Sequence, residues 1–230
     1  MCIRDSIKDV SHELRTPLAR VQLALAIAQQ KDDGKIAEEL NKIKTSADYL
    51  NEIISDILAM PVGNQEDWAL DDVIELNALL QGVCEDHRLD ADNKKITLKF
   101  DSAIDEALVE TRGNTLVGVF SNLIRNAIHY SPEGTQVSIH LTQHQQQLCI
   151  EVSDQGSGVP TEQLEDIFKP FYRTSEARDR TSGGYGLGLA IVQRTVQLHQ
   201  GSIAAHNLGN NPLNPEGLSV KVQLNQVEFD

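Results

Sequence analysis

The first 60 residues carry apolar side chains at the alternating three- and four-residue steps of a coiled-coil seam. A polar break that contains Gly34 separates two such runs, so the sequence predicts two helices joined as a hairpin. The second run alternates strictly between steps of four and three residues. The first run consists of Ile7, Val10, Leu14, Val21, Leu25 and Ala28, with Pro17 and Ala24 at the intervening places, and the second of Ile36, Leu40, Ile43, Ala47, Leu50, Ile54 and Ile57.

A two-helix hairpin on its own cannot bury two such seams. A second copy of the chain would cover both by completing a four-helix bundle, so we expect a homodimer. The alternative, in which the hairpin packs against the remainder of its own chain, stays open on the sequence alone.

The remainder of the chain has a different periodicity. Pro61 and Gly63 end the second helix, and we predict three parts: a helical hairpin at 1–61, a linker at 62–70 and a second domain at 71–230. The second domain mixes strands and helices without regular βαβ alternation, which predicts an α+β fold with a mixed sheet covered by helices on one face. We predict helices at 74–91, 114–130 and 186–199, and strands at 96–100, 136–141, 148–154, 202–206 and 218–224.

Composition narrows the functional classes. The 230 residues include 20 Lys plus Arg against 34 Asp plus Glu, a net charge of −14, which disfavours binding to nucleic acid. The three cysteines, Cys2, Cys84 and Cys149, are too far apart in sequence for a C-x-x-C pair and fit a reducing cytoplasm. No apolar stretch is long enough to span a membrane, so we expect this chain to be cytoplasmic as given.

His12 is the candidate nucleophile of the hairpin. With Ile7 at position a of the heptad, His12 is at f, the position farthest from the seam, and Glu13 is beside it at g. Thr16 lies one turn further on the same face, and Pro17 should bend the helix there. The alternative is that His12 is an ordinary solvated histidine.

Two features of the second domain fit a nucleotide and its metal ion. Asn122 and Asn126 are one helical turn apart, so their amide oxygens could share a hard cation such as Mg²⁺, although capping or surface polarity would explain them too. Asp154 follows the strand residues Leu148, Ile150 and Val152 on the inward face. A buried carboxylate there could accept from the amino group of adenine, or it could be capped by backbone amides.

Glycines mark a candidate phosphate site. The run 183–189, with Gly184, Gly186, Leu187 and Gly188, leads directly into a helix whose free N-terminal amides favour anions. It is neither a Walker A loop nor a Rossmann fingerprint. Cations outnumber anions in the preceding segment, which suggests a phosphate-facing lid; its charged residues are Lys169, Arg173, Glu176, Arg178, Asp179 and Arg180.

These blocks occur in the order that is typical of one family. S-H-E-L-R-T-P-L at 11–18, N-x-x-x-N at 122–126, D-x-G-x-G at 154–158 and G-x-G-x-G at 184–188 resemble the H, N, G1 and G2 boxes of sensor histidine kinases, and F-K-P-F-Y-R at 168–173 resembles their F box. The stretch from 171 to 184 further resembles the Cpx-type envelope-stress sensor kinases.

The resemblance implies a dimerisation and phosphotransfer hairpin followed by an ATP-binding domain of the Hsp90-gyrase-kinase type. It implies that His12 is phosphorylated by ATP, that Glu13 is the neighbouring acid or base, and that Thr16 helps to orient water when a partner is dephosphorylated. The phosphoryl group would pass to an aspartate of a response regulator. The full-length protein would be anchored at the cytoplasmic face of the inner membrane.

The resemblance also assigns nucleotide contacts. Mg²⁺ would be held by Asn122 and Asn126, and the adenine by Tyr130 and Asp154. Many relatives have Lys or Arg where this chain has His129, so a phosphate contact there is expected to be weaker or sensitive to pH. The nucleotide-binding set is completed by Gly156, Gly158, Lys169, Arg173, Gly184, Gly186, Leu187 and Gly188.

Two other functions stay open at this stage. A non-kinase ATPase of the same sandwich type would release free phosphate without a phosphoprotein. An inactive dimeric scaffold would bind regulators without transferring phosphate; the asparagine pair and Asp154 argue against it, and titration with nucleotide and Mg²⁺ would decide.

Overall fold

The computed structural model describes residues 18–19, 21–28, 37, 40–41, 43–45, 47–48, 50, 54–55, 61, 68–174, 186–209 and 215–227. The chain divides into two compact units, Met1–Val62 and Gly63–Asp230. The division falls where the sequence predicts the linker to begin; the predicted bounds of hairpin, linker and second domain stay a prediction.

The first unit is helical over its described residues from 18 to 55. Its two stretches pack side by side, since Leu18, Ala47 and Ile54 form one apolar cluster. Between the same two stretches, the side-chain amide of Gln22 donates to Asp48 Oδ1 at 2.9 Å. The predicted helical hairpin is confirmed.

Burial separates the two sets of seam residues in this hairpin. Along the second stretch, Leu40, Ala47 and Ile54 are buried, at seven-residue intervals. The seam residues between them remain open to solvent, Ile43 being 48% and Leu50 49% exposed. One heptad position is therefore covered inside the hairpin, and the other is left as an exposed apolar stripe.

The second unit is built on a five-stranded sheet with the strand order β2-β4-β5-β7-β6. The pairing of β2 with β4 is parallel and the other pairings are antiparallel, so the predicted mixed sheet is confirmed. A separate two-stranded sheet pairs β1 with β3. The strands are β1 (Asp72–Glu75), β2 (Thr97–Ser102), β3 (Leu108–Thr111), β4 (Gln136–His144), β5 (Gln147–Ser153), β6 (Ser202–Leu208) and β7 (Gly217–Asn225).

Helices cover one face of the five-stranded sheet. Strand residues alternate accordingly: Val137, Ile139 and Leu141 of β4 are buried, whereas His140 between them is exposed. Helix α3 packs against α1, α4, the central strand β5 and its neighbour β4, so it forms the middle of the core. The helices are α1 (Leu76–Asp86), α2 (Arg88–Asn93), α3 (Thr115–Tyr130) and α4 (Gly188–Leu198).

The prediction of one helix at 74–91 is wrong in two respects: the helix starts later, and it is divided into two helices. Ile74 belongs to strand β1, where it pairs with Val109. The helix begins only at Leu76, because the carboxylate of Glu75 accepts the backbone N–H groups of Asn77 and Ala78 as an N-cap. His87 then interrupts the helix and separates α1 from α2.

The last predicted helix also begins later than expected, at Gly188, because Gly186 has a left-handed φ of +71°. Within the part of the chain that the structure describes, no helix is both long and apolar enough to cross a bilayer.

Candidate functional site

Helix α3 presents the two predicted metal-binding asparagines on its polar edge. Its opposite side is apolar and buried, which fixes the helix against the sheet. The amide nitrogen of Asn122 donates to Gly118 O at 3.0 Å, and its oxygen accepts from Arg125 Nη2 at 2.5 Å. The side chain of Asn126, one turn further on, makes no hydrogen bond with any other described residue. Its amide oxygen is therefore available to a ligand.

Asp154 lies at the end of β5, on the inward face that the sequence predicts, and is only 7% exposed. Its Oδ1 accepts from the backbone N–H of Gly156 at 2.8 Å and of Leu218 at 3.1 Å. Burial raises the pKa of this carboxyl group, while the two hydrogen bonds act in the opposite direction. No described residue donates to Oδ2. Backbone capping and a free acceptor oxygen are thus both present.

Gly156 connects this carboxylate to the end of α3. A Cβ atom at Gly156 would lie 2.7 Å from the carbonyl oxygen of Tyr130 and 3.0 Å from Asp154 Oδ1. Only glycine allows the loop to pass between them. Tyr130 is 49% exposed beside this contact. The structure therefore brings together the two residues assigned to the adenine, Tyr130 and Asp154, with Gly156 between them.

The glycine-rich turn lies next to the asparagine pair. A Cβ atom at Gly188 would be 3.1 Å from Asn122 Oδ1, so the N-terminus of α4 adjoins the first asparagine. Leu187, the N-cap residue, is fully buried and its side chain accepts no capping hydrogen bond. The first amides of α4 consequently lack a side-chain cap and can bind an anion.

Segment 168–173 packs against the same turn. Phe171 donates its backbone N–H to Gly186 O at 2.9 Å. A side chain at Gly186 would collide with the backbone of Phe171 and Tyr172. The F-box and G2-box segments, which are distant in sequence, are therefore in direct contact.

Cationic groups surround His129. Burial lowers the pKa of its imidazole, and the charges of Lys94, Arg173 and Arg125 lower it further. Its ring makes an edge-to-face contact with Tyr130, with 4.9 Å between ring centroids. His129 is therefore held neutral near pH 7, in a positively charged region at the end of α3.

The charge of Lys169, one of the residues assigned to nucleotide binding, is already paired with Asp166. Its Nζ is 2.5 Å from Asp166 Oδ1, and this hydrogen-bonded carboxylate raises the pKa of the lysine. A phosphate would have to compete with Asp166 for this ammonium group.

Four predicted site residues lie outside the described residues: His12, Glu13, Thr16 and Gly184. The same holds for the predicted lid residues Glu176, Arg178, Asp179 and Arg180.

Three residues of this region are absent from the site predicted from the sequence: Arg125, Lys94 and Asn207. Arg125 hydrogen-bonds Asn122, and its i, i+3 spacing could have signalled that contact. Lys94 donates to the carbonyls of Ile128 and His129 and so caps α3. Asn207 hydrogen-bonds the backbone of Val159. Sequence separations of 34 and 48 residues left no local signal for Lys94 and Asn207.

The asparagine pair fits Mg²⁺. Amide oxygens are hard ligands, and Mg²⁺ in nucleotide sites commonly takes one or two protein oxygens, with phosphates and water supplying the rest. Among the residues that the structure describes, no group of three His, Cys, Asp or Glu side chains could hold a metal ion. A metal bound here would therefore depend on the nucleotide.

A mixed sheet under one layer of helices, with a buried aspartate, an asparagine pair and a glycine turn on adjoining elements, defines a nucleotide-binding α/β sandwich. Residues 111–227 match the family described as histidine kinase-, DNA gyrase B- and HSP90-like ATPase, and the chain belongs to that family. Residues 3–61 match the His kinase A phospho-acceptor domain. The predicted family and fold class are confirmed.

Curated relatives cover most of this chain. It is 37% identical to the sensor histidine kinase CpxA of Escherichia coli K12 over 203 residues, which are 87% of this chain and 43% of that protein. It is 32% identical to the sensor-like histidine kinase SenX3 of Mycolicibacterium smegmatis over 203 residues, 87% of this chain and 53% of that protein. The chain spans about half the length of these relatives.

Solved structures show the same fold. Full-length ShkA in complex with AMPPNP superimposes with a TM-score of 0.74 at 20% identity, covering 98% of this chain and 47% of that one. Acinetobacter baumannii histidine kinase AdeS gives a TM-score of 0.65 at 21% identity, covering 94% of this chain and 98% of that one.

Proposed function

We propose that this chain is the catalytic core of an ATP-dependent protein histidine kinase. It phosphorylates His12, passes the phosphoryl group to an aspartate of a response regulator, and also dephosphorylates that regulator. The observation that supports the proposal is that helix α3 contacts the glycine turn at Asn122 and the loop after Asp154 at Tyr130, in a domain of the ATPase family. In the same chain, residues 3–61 match a phospho-acceptor domain.

Asp154 would select adenine. Its Oδ1 is used by two backbone amides, which orients the carboxylate, and Oδ2 can accept from the exocyclic amino group of the base. Guanine presents a carbonyl oxygen at the equivalent place and would be repelled. The exposed ring of Tyr130 would lie against the base.

The phosphates would be bound between α3 and α4. The uncapped amides at Gly188 and the cations Arg125 and Arg173 provide positive charge around Asn122 and Asn126. Mg²⁺ held by the two asparagines would neutralise phosphate charge. The protein residues then orient the triphosphate, and this positioning is the main requirement for phosphoryl transfer.

The proposed transfer involves one ring nitrogen of His12. A nitrogen–phosphorus bond forms, the bond from the γ-phosphorus to the β–γ bridging oxygen breaks, and ADP leaves. Glu13 accepts the hydrogen bond of the other ring nitrogen, which fixes the tautomer and supports the positive charge that develops on the ring. In the second proposed activity, dephosphorylation of the regulator, Thr16 orients the attacking water.

The exposed stripe of the hairpin supports a homodimer. Val21, Ile43 and Leu50 are each 45 to 49% exposed, although they lie on a heptad seam. A second copy would cover them by completing a four-helix bundle. Sedimentation equilibrium should therefore report twice the 25.4 kDa chain mass. We also place the full-length protein at the cytoplasmic face of the inner membrane, on the resemblance alone.

Labelling with ATP tests the kinase proposal. The chain is incubated with γ-labelled ATP and Mg²⁺, and the protein-bound label is tested for stability in acid and in alkali. We expect a protein-bound label that is removed by acid and stable in alkali. The His12→Gln variant should show no label and should bind ADP with wild-type affinity. Release of free phosphate without labelled protein would contradict the proposal and favour a simple ATPase.

A further inference from the structure

The loop from Asp154 to Val159 is fastened at its first residue by strand β7. Asp154 donates its backbone N–H to Leu218 O at 2.9 Å, and Leu218 donates back to Asp154 Oδ1 at 3.1 Å. The main chain and the side chain of Asp154 are thus both fixed by one residue.

The other end of the loop is fastened by the residue opposite Leu218. Asn207 of β6 pairs with Leu218 in the register of the two strands. Its side-chain Oδ1 accepts from Val159 N–H at 2.9 Å, and its Nδ2 donates to Val159 O at 2.6 Å. One cross-strand pair therefore holds both ends of the loop.

The loop also has little room to move between these anchors. Gly158 has a left-handed φ of +67°, and a Cβ atom there would lie 2.7 Å from Asn207 Oδ1 and 2.6 Å from Pro215 Cγ. A Cβ atom at Gly156 would lie equally close, 2.7 Å, to Tyr130 O. A shift at Val159 would therefore be transmitted to the side of the loop that contacts the end of α3.

We propose that Asn207 is a positioning residue for adenine-nucleotide binding. By fixing Val159 it sets the path of the loop, and through that path the geometry of Asp154 and Gly156 against Tyr130. The role rests on the proposed function only in that this loop binds the nucleotide; it requires no phosphoryl transfer. Asn207 acts through the loop and contacts no substrate.

The side-chain chemistry explains why an amide is suited to this position. Val159 presents one donor and one acceptor, so its partner must accept and donate at a fixed separation. A carboxylate in place of the amide would still accept from Val159 N–H but would face Val159 O with a second acceptor. Asn207→Asp therefore changes the hydrogen bonding with almost no change of shape.

Asn77 offers a matched control. It is also a partly buried asparagine whose side-chain Nδ2 bonds elsewhere in the fold, to Glu75 Oε1 at 2.9 Å and Ile104 O at 3.3 Å. It lies in α1, outside the nucleotide-binding loop. Asn77→Asp therefore makes the same chemical change, at a position that does not touch the loop.

The test measures ADP affinity by calorimetry, the thermal midpoint, and amide hydrogen exchange at Val159 without nucleotide. For Asn207→Asp we expect ADP affinity to fall about tenfold or more and exchange at Val159 to quicken. Asn77→Asp should lower the thermal midpoint while leaving ADP affinity and Val159 exchange at wild-type values.

Two results would overturn the role of Asn207. The first is wild-type ADP affinity in folded Asn207→Asp, and the second is an equal loss of affinity in Asn77→Asp. Failure of the proposed function is recognised separately. If the wild-type chain binds ADP but His12 is never labelled, the kinase proposal is wrong and the proposed role of Asn207 is unaffected. If the wild-type chain binds no ADP, both proposals are wrong.

Discussion

Arg125 donates a hydrogen bond from Nη2 to the side-chain oxygen of Asn122 at 2.5 Å. A guanidinium group thus holds one of the two amide oxygens assigned to Mg²⁺. Both side chains are solvent-accessible at this contact, so the pair is weak enough to be exchanged for a metal ion.

Removal of Arg125 should ease metal binding. In Arg125→Ala the oxygen of Asn122 is free, and we expect half-maximal support of ADP binding at about two- to fivefold lower Mg²⁺ concentration, the size of an exposed charge-assisted contact. Calorimetric ADP titrations over a Mg²⁺ series measure this. Arg88→Ala, which removes an exposed arginine paired with Glu85, is the control. Weaker ADP binding at every Mg²⁺ concentration would instead make Arg125 a phosphate ligand.

Asp154→Asn should abolish tight ADP binding and preserve the fold. The asparagine oxygen can still accept from Gly156 and Leu218, but its amino group would face the amino group of adenine. We expect a loss of affinity of about 100-fold or more, as for a buried polar pair that becomes mismatched. Calorimetry gives the affinity, and the thermal midpoint checks folding. Undiminished ADP binding would refute the adenine assignment.

His129 should make nucleotide affinity depend on pH. Its lowered pKa keeps the ring neutral at pH 7 and above, so a fall in pH adds a positive charge beside the phosphates. ADP affinity should therefore rise as the pH falls below 6.5, and more steeply in the wild type than in His129→Gln. His129→Arg, with a permanent charge, should bind more tightly at pH 8.

Titration of the ADP phosphate itself is common to all variants, so only the differences between them report on His129. His144→Gln changes an exposed histidine at the end of β4 and should keep the wild-type profile. Identical profiles for the wild type and His129→Gln would exclude the imidazole.

The sequence could predict those parts of the site that depend on local pattern. The apolar stripe of α3 and the alternation of apolar residues in β5 can be read from neighbouring residues. These two patterns therefore predicted the correct elements and faces for Asn122, Asn126 and Asp154. Strand β1 was missed because it has only four residues and is defined by its pairing with β3, more than 30 residues later. Lys94 and Asn207 were missed for the same physical reason: their partners are remote in sequence.

His199 should make the second unit sensitive to acid. The imidazole is 4% exposed. Its Nδ1–H donates to Thr195 O at 2.8 Å, so the unprotonated Nε2 accepts from the hydroxyl of Thr111 at 3.1 Å. Burial lowers the pKa of His199, outweighing the hydrogen bond to Thr195. The unfolded chain then binds the proton more readily, and stability falls as the pH drops through the unfolded value near 6.5.

Denaturant unfolding at pH 7.5 and pH 5.5 measures this effect. His199→Gln should be less stable at pH 7.5 by about 1 to 3 kcal/mol, since it disrupts buried hydrogen bonds, and should lose less further stability at pH 5.5 than the wild type does. An equal loss in both proteins would assign the acid sensitivity to other groups.

The most direct measurement is the location of the transferred phosphate. The chain is incubated with ATP and Mg²⁺ and digested at neutral to alkaline pH, and its peptides are sequenced by mass spectrometry. We expect a phosphoramidate on His12, absent when Asn126→Asp or Asp154→Asn replaces the wild type. Phosphate on a serine, a threonine or another histidine, or unmodified His12 in a chain that hydrolyses ATP, would contradict it.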